Sequence, residues 1–132
     1  MVGAIVVTHG QLARELVTAA EMITGDLPNV TSVSVGWHDD PSVIHQEIEK
    51  AIGKVDAGNG VLILTDMFGG TPSNVALTFL EKAHIEIITG VNLPMILKLS
   101  NQKEGTELHS IAKSVLAQGK KNITLASEVL KR

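Results

Sequence analysis

Two residues whose side chains can move protons close two apolar stretches of this sequence. His9 ends the segment VVTHG, and Asp66 follows the run VLILT in the segment VLILTDMFGGTPSN. A histidine oriented by a carboxylate is a recurring arrangement for a nucleophile or a base. In such a pair Asp66 accepts the Nδ1–H of His9, and Nε2 is left free to attack. The residue types therefore predict His9 as the nucleophile and Asp66 as the group that orients it.

The residues beside this pair are suited to an anion. Paired glycines after a strand, Gly69 and Gly70, let backbone N–H groups approach an oxyanion without a Cβ in the way. Thr71 adds a hydroxyl donor, and His9 and Gly10 directly precede a predicted helix whose N-terminal end favours negative charge. Oriented N–H groups and hydroxyls are what phosphoryl transfer requires of a protein. Gly10, Gly69, Gly70 and Thr71 are therefore the candidate phosphate-binding residues.

Each of these residues also has an ordinary structural explanation. A histidine or aspartate after a strand is commonly a loop or turn residue, GG serves any tight turn, and Thr-Pro is a common helix start. The segment His38-Asp39-Asp40 invites a metal site, but adjacent residues rarely point at one ion, so we expect no metal. Trp37 either rims a cleft or packs against the protein. Only a meeting of His9 and Asp66 in one place favours chemistry over these explanations.

Four apolar blocks predict strands at residues 2–7, 30–35, 61–64 and 85–88. Helical spacing predicts helices from near Gln11 to Gly25, from the Asp40 cap through residue 55, from a Thr71 cap through about Lys82, and around residues 108–115. The segment NITLASEVL offers a fifth strand or an extended tail. This alternation predicts an α/β fold with an open, mainly parallel, doubly wound sheet in the order 2-1-3-4. Ligands bind such sheets where the winding reverses, between strands one and three, which end at His9 and Asp66.

The composition excludes several classes of function. The 132 residues suit one domain (1–132), and 44% hydrophobic with 2% aromatic residues predicts an aliphatic core. A net charge of -3 without a basic cluster argues against nucleic-acid binding, and the absence of cysteine excludes disulfides and thiol catalysis. We expect a cytoplasmic protein without direct membrane insertion, since no basic leader and no apolar run of roughly 20 residues is present.

Three segments, THGQLARELVTAAEMITG, VLILTDMFGGTPSNVA and ITGVNLPM, resemble the enzyme IIA component of the mannose-family phosphoenolpyruvate-dependent sugar phosphotransferase system. The resemblance covers nearly the whole chain and loosens in the last thirty or so residues. It implies that His9 is phosphorylated and that Asp66 is its hydrogen-bonding partner, while Thr71 stands where the family often has serine. It also implies a phosphohistidine carrier without a cofactor, which accepts phosphate from the histidine-containing phosphocarrier protein and passes it to a IIB component during sugar uptake.

The resemblance further implies a homodimer, in which a C-terminal strand is exchanged and added antiparallel to the sheet edge. KNITLASEVL is the candidate for that strand. Many relatives continue into a IIB domain, so we expect a IIB component in trans here.

Three alternatives remain open. The chain is a regulatory module of the same fold whose phosphorylation state controls partner binding without sugar transport, or the related phosphodonor subunit of dihydroxyacetone kinase. Otherwise it is a hydrolytic or small-molecule-binding α/β domain in which His9 acts as a base.

Overall fold

The computed structural model describes residues 1–82 and 84–130, and a sheet of four parallel strands forms its centre. The strands are β1 (Gly3–His9), β2 (Val30–Val35), β3 (Val61–Thr65) and β4 (Ile85–Thr89). Their order in the sheet is β2-β1-β3-β4, and every pair is parallel. The predicted α/β fold with strand order 2-1-3-4 is confirmed. β1 runs two residues further than predicted, so that His9 is still paired with Val35 of β2.

Helices connect the strands and cover both faces of the sheet. In the described part of the chain they are α1 (Leu12–Thr24), α2 (Pro41–Val55), α3 (Thr71–Leu77), α4 (Leu93–Leu99), α5 (Leu108–Lys121) and α6 (Ala126–Val129). One face packs against α1, α4 and α5, and the other packs against α2 and α3. The winding therefore reverses between β1 and β3, which brings the ends of these two strands to a shared cleft.

The core consists of two aliphatic layers, one on each face of the sheet. Ala4 and Val6 of β1 point into the layer beneath α1, α4 and α5, whereas Ile5 and Val7 point into the layer beneath α2 and α3. Phe79 is the largest fully buried side chain. Because β1 is held from both faces and by strands on both sides, the position of its last residue is firmly fixed.

Two predicted helix starts have different outcomes. The prediction that Asp40 caps α2 is confirmed, because its carboxylate accepts the Ser42 N–H at 2.9 Å and Pro41 opens the helix. Thr71, predicted as a cap, is instead the first helical residue of α3, and Gly70 holds the cap position with φ of 85°. The α-helical part ends at Leu77 rather than near Lys82, and tighter turns follow. The Thr78 hydroxyl donates to the Val75 carbonyl at 2.7 Å, a local bond that competes with continued α-helix.

The C-terminal segment is not a strand in the single chain. Residues 122–125 have no regular structure and α6 follows them, so the described residues contain no fifth strand. The apolar side chains of this segment lie in solvent: Ile123, Leu125, Val129 and Leu130 are each more than 60% exposed. A strand at the end of the chain needs a sheet edge to pair with, and exchange of this segment between two chains stays a prediction.

Candidate functional site

His9 and Asp66 lie side by side at the carboxyl edge of the sheet. His9 is the last residue of β1, and Asp66 directly follows β3, the neighbouring strand. The ring nitrogen Nδ1 of His9 is 2.8 Å from Oδ2 of Asp66. The structure thus places together the two residues that the sequence predicts as nucleophile and orienting group.

The Asp66 carboxylate fixes both the ring and the backbone of His9. Its Oδ2 atom also accepts the backbone N–H of His9 at 3.1 Å, and its Oδ1 atom accepts the N–H of Met67 at 3.1 Å. An ionised carboxylate can only accept, so Nδ1 carries the hydrogen of this contact, and in the neutral ring Nε2 then presents its lone pair. The His9 side chain is 52% exposed and that of Asp66 is 14% exposed. The free nitrogen is therefore open to a partner while the group that orients it is sheltered.

The charge of Asp66 follows from its environment. Burial raises the pKa of its carboxyl group, but hydrogen bonds from the ring and backbone of His9, the charge of His9 and a hydrogen bond from the backbone of Asp66 itself act against burial. The net result is a pKa below the ordinary value of 3.8. Asp66 is thus ionised at neutral pH and can stabilise positive charge that develops on the imidazole.

Gly70 packs against the reactive edge of the ring. A Cβ at this position would lie 3.2 Å from Cε1 and 3.3 Å from Nε2 of His9, and φ is +85°. Both facts favour glycine, since a side chain would crowd Nε2 and the backbone lies in the left-handed region. Gly69 also has positive φ, at +90°, but its Cβ position is open. A side chain would therefore crowd His9 only at the second glycine of the pair.

Thr71 and Gly10 line a hollow in front of His9. It has a volume of about 500 Å³, and its walls also include Val35, Gly36 and Trp37. The N–H of Gly10 already donates to the carbonyl of Val35 at 2.8 Å. Gly10 therefore offers space rather than an N–H group to an anion. Thr71 is placed to offer its hydroxyl, as the first residue of α3.

Thr8 is a site residue that the sequence analysis missed. Its hydroxyl is fully buried, accepts the N–H of Ala13 at 2.7 Å and donates to the carbonyl of His9 at 3.2 Å. It thereby satisfies a free N–H of the first turn of α1 and anchors the turn that carries His9. A threonine a few residues before an amphipathic helix was the available signal.

The two carboxylates beside His38 have structural roles. Asp39 accepts the N–H of Gly36 at 2.7 Å and Asp40 caps α2, so they serve a turn and a helix start. Among residues 1–82 and 84–130, His, Cys, Asp and Glu form no group of three or more suited to a metal ion.

Of the two interpretations of Trp37, the structure supports the rim of the cleft, because this side chain is 99% exposed. In the same described part, no helix combines the length and the apolar character that crossing a bilayer requires.

The chain is similar to several known proteins. A family model described as PTS system fructose IIA component matches residues 3–116. The mannose-specific EIIAB component of the PTS system of Escherichia coli K12 is 35% identical over 92 residues, which are 69% of this chain and 28% of that protein. The fructose-specific EIIA component of Bacillus subtilis is 27% identical over 133 residues, covering 100% of this chain and 91% of that protein.

A solved structure shares the architecture. The mannose/sorbose specific IIA subunit of the phosphotransferase system from Enterococcus faecalis superposes with a TM-score of 0.82 at 27% identity, covering 94% of this chain and 93% of that one. The open parallel sheet with its cleft between β1 and β3 is therefore a known arrangement for IIA proteins.

Proposed function

The chain belongs to the family described as the PTS system fructose IIA component, among the IIA components of the mannose family, and from this premise we propose that it carries a phosphoryl group on Nε2 of His9. IIA components of the PTS take part in phosphoryl transfer during sugar uptake. The observation that supports the residue assignment most strongly is the 2.8 Å contact between Nδ1 of His9 and Asp66, with the ring otherwise exposed.

The proposed step is an in-line displacement at phosphorus. The lone pair of Nε2 attacks the phosphorus of a phosphohistidine on the donor protein, the donor N–P bond breaks, and a new N–P bond forms on His9. The ring gains positive character as this bond forms, and the ionised Asp66 stabilises it through the Nδ1–H. The hydroxyl of Thr71 donates to the phosphoryl oxygens, and Gly69 and Gly70 leave room for them. No proton has to leave the ring of His9 or return to it during transfer, because Nδ1 keeps its hydrogen throughout.

The proposed partners follow from the same chemistry. The donor is the histidine-containing phosphocarrier protein, and the acceptor is a IIB component in trans. Both use the exposed Nε2 in turn, so they occupy the cleft one after the other. We further propose that residues 1–132 act as one IIA domain in the cytoplasm, as a homodimer, without a metal or other cofactor.

Mass spectrometry of the intact protein tests the carrier proposal. After incubation with phosphoenolpyruvate, enzyme I and the phosphocarrier protein, the wild type should gain one phosphoryl group that brief acid treatment removes. His9→Ala should gain none. His109→Ala is the matched control, because His109 is also an exposed histidine paired with a carboxylate, Glu86, at 2.7 Å, and it should be phosphorylated like the wild type. Absence of the added group in the wild type with competent donors would refute the proposal.

Transfer of the phosphoryl group from His9 to a IIB component distinguishes a transport role from a regulatory role. A IIB component should remove the phosphoryl group from His9 on mixing. If no IIB component does so and the phosphorylated protein instead binds another partner, the regulatory alternative replaces the transport role.

A further inference from the structure

The distribution of aromatic residues in this protein is uneven. The chain has only three, Trp37, Phe68 and Phe79. Phe79 is fully buried, but Trp37 is 99% exposed and Phe68 is 74% exposed. Burying a large aromatic side chain contributes strongly to the stability of a fold. Two aromatics kept in solvent by a chain this poor in them indicate a surface that another molecule covers.

The two exposed aromatics flank the nucleophile. β2 and β3 lie on either side of β1 in the sheet, and His9 ends β1. Trp37 follows the end of β2 and Phe68 follows the end of β3, so they extend from the strands on opposite sides of the strand that ends at His9. Trp37 also shares the hollow of about 500 Å³ with His9.

Hydrogen bonds hold the backbone that presents both side chains. Before Trp37, the N–H of Gly36 donates to Asp39 at 2.7 Å. Before Phe68, the N–H of Met67 donates to Asp66 at 3.1 Å, through the same carboxylate that orients His9. An exposed side chain on a fixed backbone loses less entropy on binding, which suits an anchor at a protein interface.

We propose that Trp37 and Phe68, here called the aromatic bracket, dock the phosphoryl donor protein through an apolar surface around the donor's own phosphohistidine. This inference rests on the proposed function. Transfer requires the donor phosphorus within about 3.5 Å of Nε2, so the donor surface must enter the space between the two aromatics. Tryptophan and other aromatics at the centre of an interface commonly provide most of its binding energy. The aromatic bracket thus sets donor affinity, while His9 and Asp66 perform the chemistry.

Single substitutions separate docking from chemistry. Trp37→Ala and Phe68→Ala should each raise the donor concentration that gives half-maximal phosphorylation by about 10- to 30-fold, the effect of an interface hot spot. The maximal rate should stay within about twofold of the wild type. Met22→Ala is the matched control, because Met22 is 83% exposed but lies near the end of α1 away from His9, and its half-maximal concentration should not change.

A small phosphodonor checks the site itself. Phosphoramidate transfers its phosphoryl group to imidazole: its N–P bond breaks, ammonia leaves, and the new N–P bond forms on Nε2. It is too small to span the aromatic bracket, so the wild type and both bracket variants should react with it at equal rates. Loss of this reaction in a variant would mean damage to the site and would overturn the docking role.

The remaining outcomes are distinct. If the wild type reacts with neither donor, the proposed function itself fails. If the wild type reacts with both but the bracket variants keep the normal half-maximal concentration of the protein donor, the aromatic bracket is not its docking surface. If only discharge to a IIB component weakens, the surface belongs to the acceptor and the assignment to the donor is wrong.

Discussion

The two carboxylate oxygens of Asp66 accept hydrogen bonds from different groups, one from His9 and the other from the loop that follows Asp66. Oδ2 accepts both the ring and the backbone N–H of His9, and Oδ1 accepts the N–H of Met67. A substitution that keeps the size of the side chain but changes its donors therefore tests the orientation of the ring with little change in packing.

Replacing Asp66 with asparagine should slow phosphorylation of His9 by about 10- to 10⁴-fold, a range from the cost of losing the carboxylate behind a metal-bound histidine to that of the same substitution in a catalytic triad. The amide NH₂ of asparagine can donate to Nδ1, which favours the tautomer with hydrogen on Nε2 and removes the attacking lone pair. Single-turnover phosphorylation by a saturating donor measures the rate. Retention of the full rate would exclude the orienting role.

The effect of Asp66→Asn on the unfolding free energy should depend on pH. The pKa of Asp66 is lower in the folded protein than the ordinary 3.8, so its ionised form stabilises the fold above that value, and this stabilisation is lost as the pH falls through the folded pKa. The difference in unfolding free energy between wild type and Asp66→Asn should therefore be largest above about pH 5 and should shrink below pH 3.8. Urea unfolding across this range measures it, and a difference that grows on acidification would contradict the pKa shift.

At the scale of single residues, the sequence predicted that His9 and Asp66 meet, but it did not predict every contact around them. His9 and Asp66 could be placed together because each follows an apolar strand, and the strand order follows from the α/β alternation. The use of the Gly10 N–H by β2 could not be predicted, since it depends on how far β1 stays paired. The exposure of Trp37 likewise depends on the path of the chain after β2.

The turn between β1 and α1 is the element that positions His9, the proposed nucleophile. Thr8 lies at its base, buried among apolar side chains, and its hydroxyl joins the first turn of α1 to the carbonyl of His9. Loss of this hydroxyl leaves the N–H of Ala13 buried without an acceptor.

Thr8→Val should therefore lower the unfolding free energy by about 1–3 kcal/mol and also slow phosphorylation of His9. Valine has nearly the shape of threonine, so packing is preserved. Thr8→Ser keeps the hydroxyl and should restore the phosphorylation rate. Urea unfolding and single-turnover phosphorylation measure the two effects. A slow Thr8→Ser together with a normal Thr8→Val would show that the methyl group matters and the hydroxyl does not.

Some elements were predictable and others were not. The Asp40-Pro41 start of α2 follows from local chemistry, and it was predicted at the correct residue. α4 was not predicted as a separate helix, although Asn92 caps it by accepting the N–H of Met95 at 3.3 Å. It is a seven-residue helix, too short for helical periodicity to be evident, and packing against α5 and α1 stabilises it rather than local propensity.

At the scale of the whole molecule, the C-terminal segment has the sequence pattern of a strand but is not part of the sheet in the single chain. In an extended chain Ile123, Leu125, Ser127 and Val129 share one face and Thr124, Ala126 and Glu128 the other, a mainly apolar face that suits a strand. In the single chain these side chains are exposed and α6 occupies part of the segment. Long-range pairing with a second chain lies outside what a local sequence pattern can specify, so the pattern predicts the potential for a strand but not its partner.

If two chains exchange this segment, contacts made by its apolar face stabilise the dimer. Ile123→Asp combined with Leu125→Asp should convert the dimer to monomers, because two apolar contacts of about 1.5 kcal/mol or more each are lost, raising the dissociation constant at least about a hundredfold. Thr124→Asp combined with Ala126→Asp is the matched control: it adds the same charge to the opposite face of the predicted strand and should leave the dimer intact. Light scattering coupled to size-exclusion chromatography measures the mass of each. A wild type that is monomeric at micromolar concentration would exclude the exchange and leave the short helix α6 as the form that this segment takes in solution.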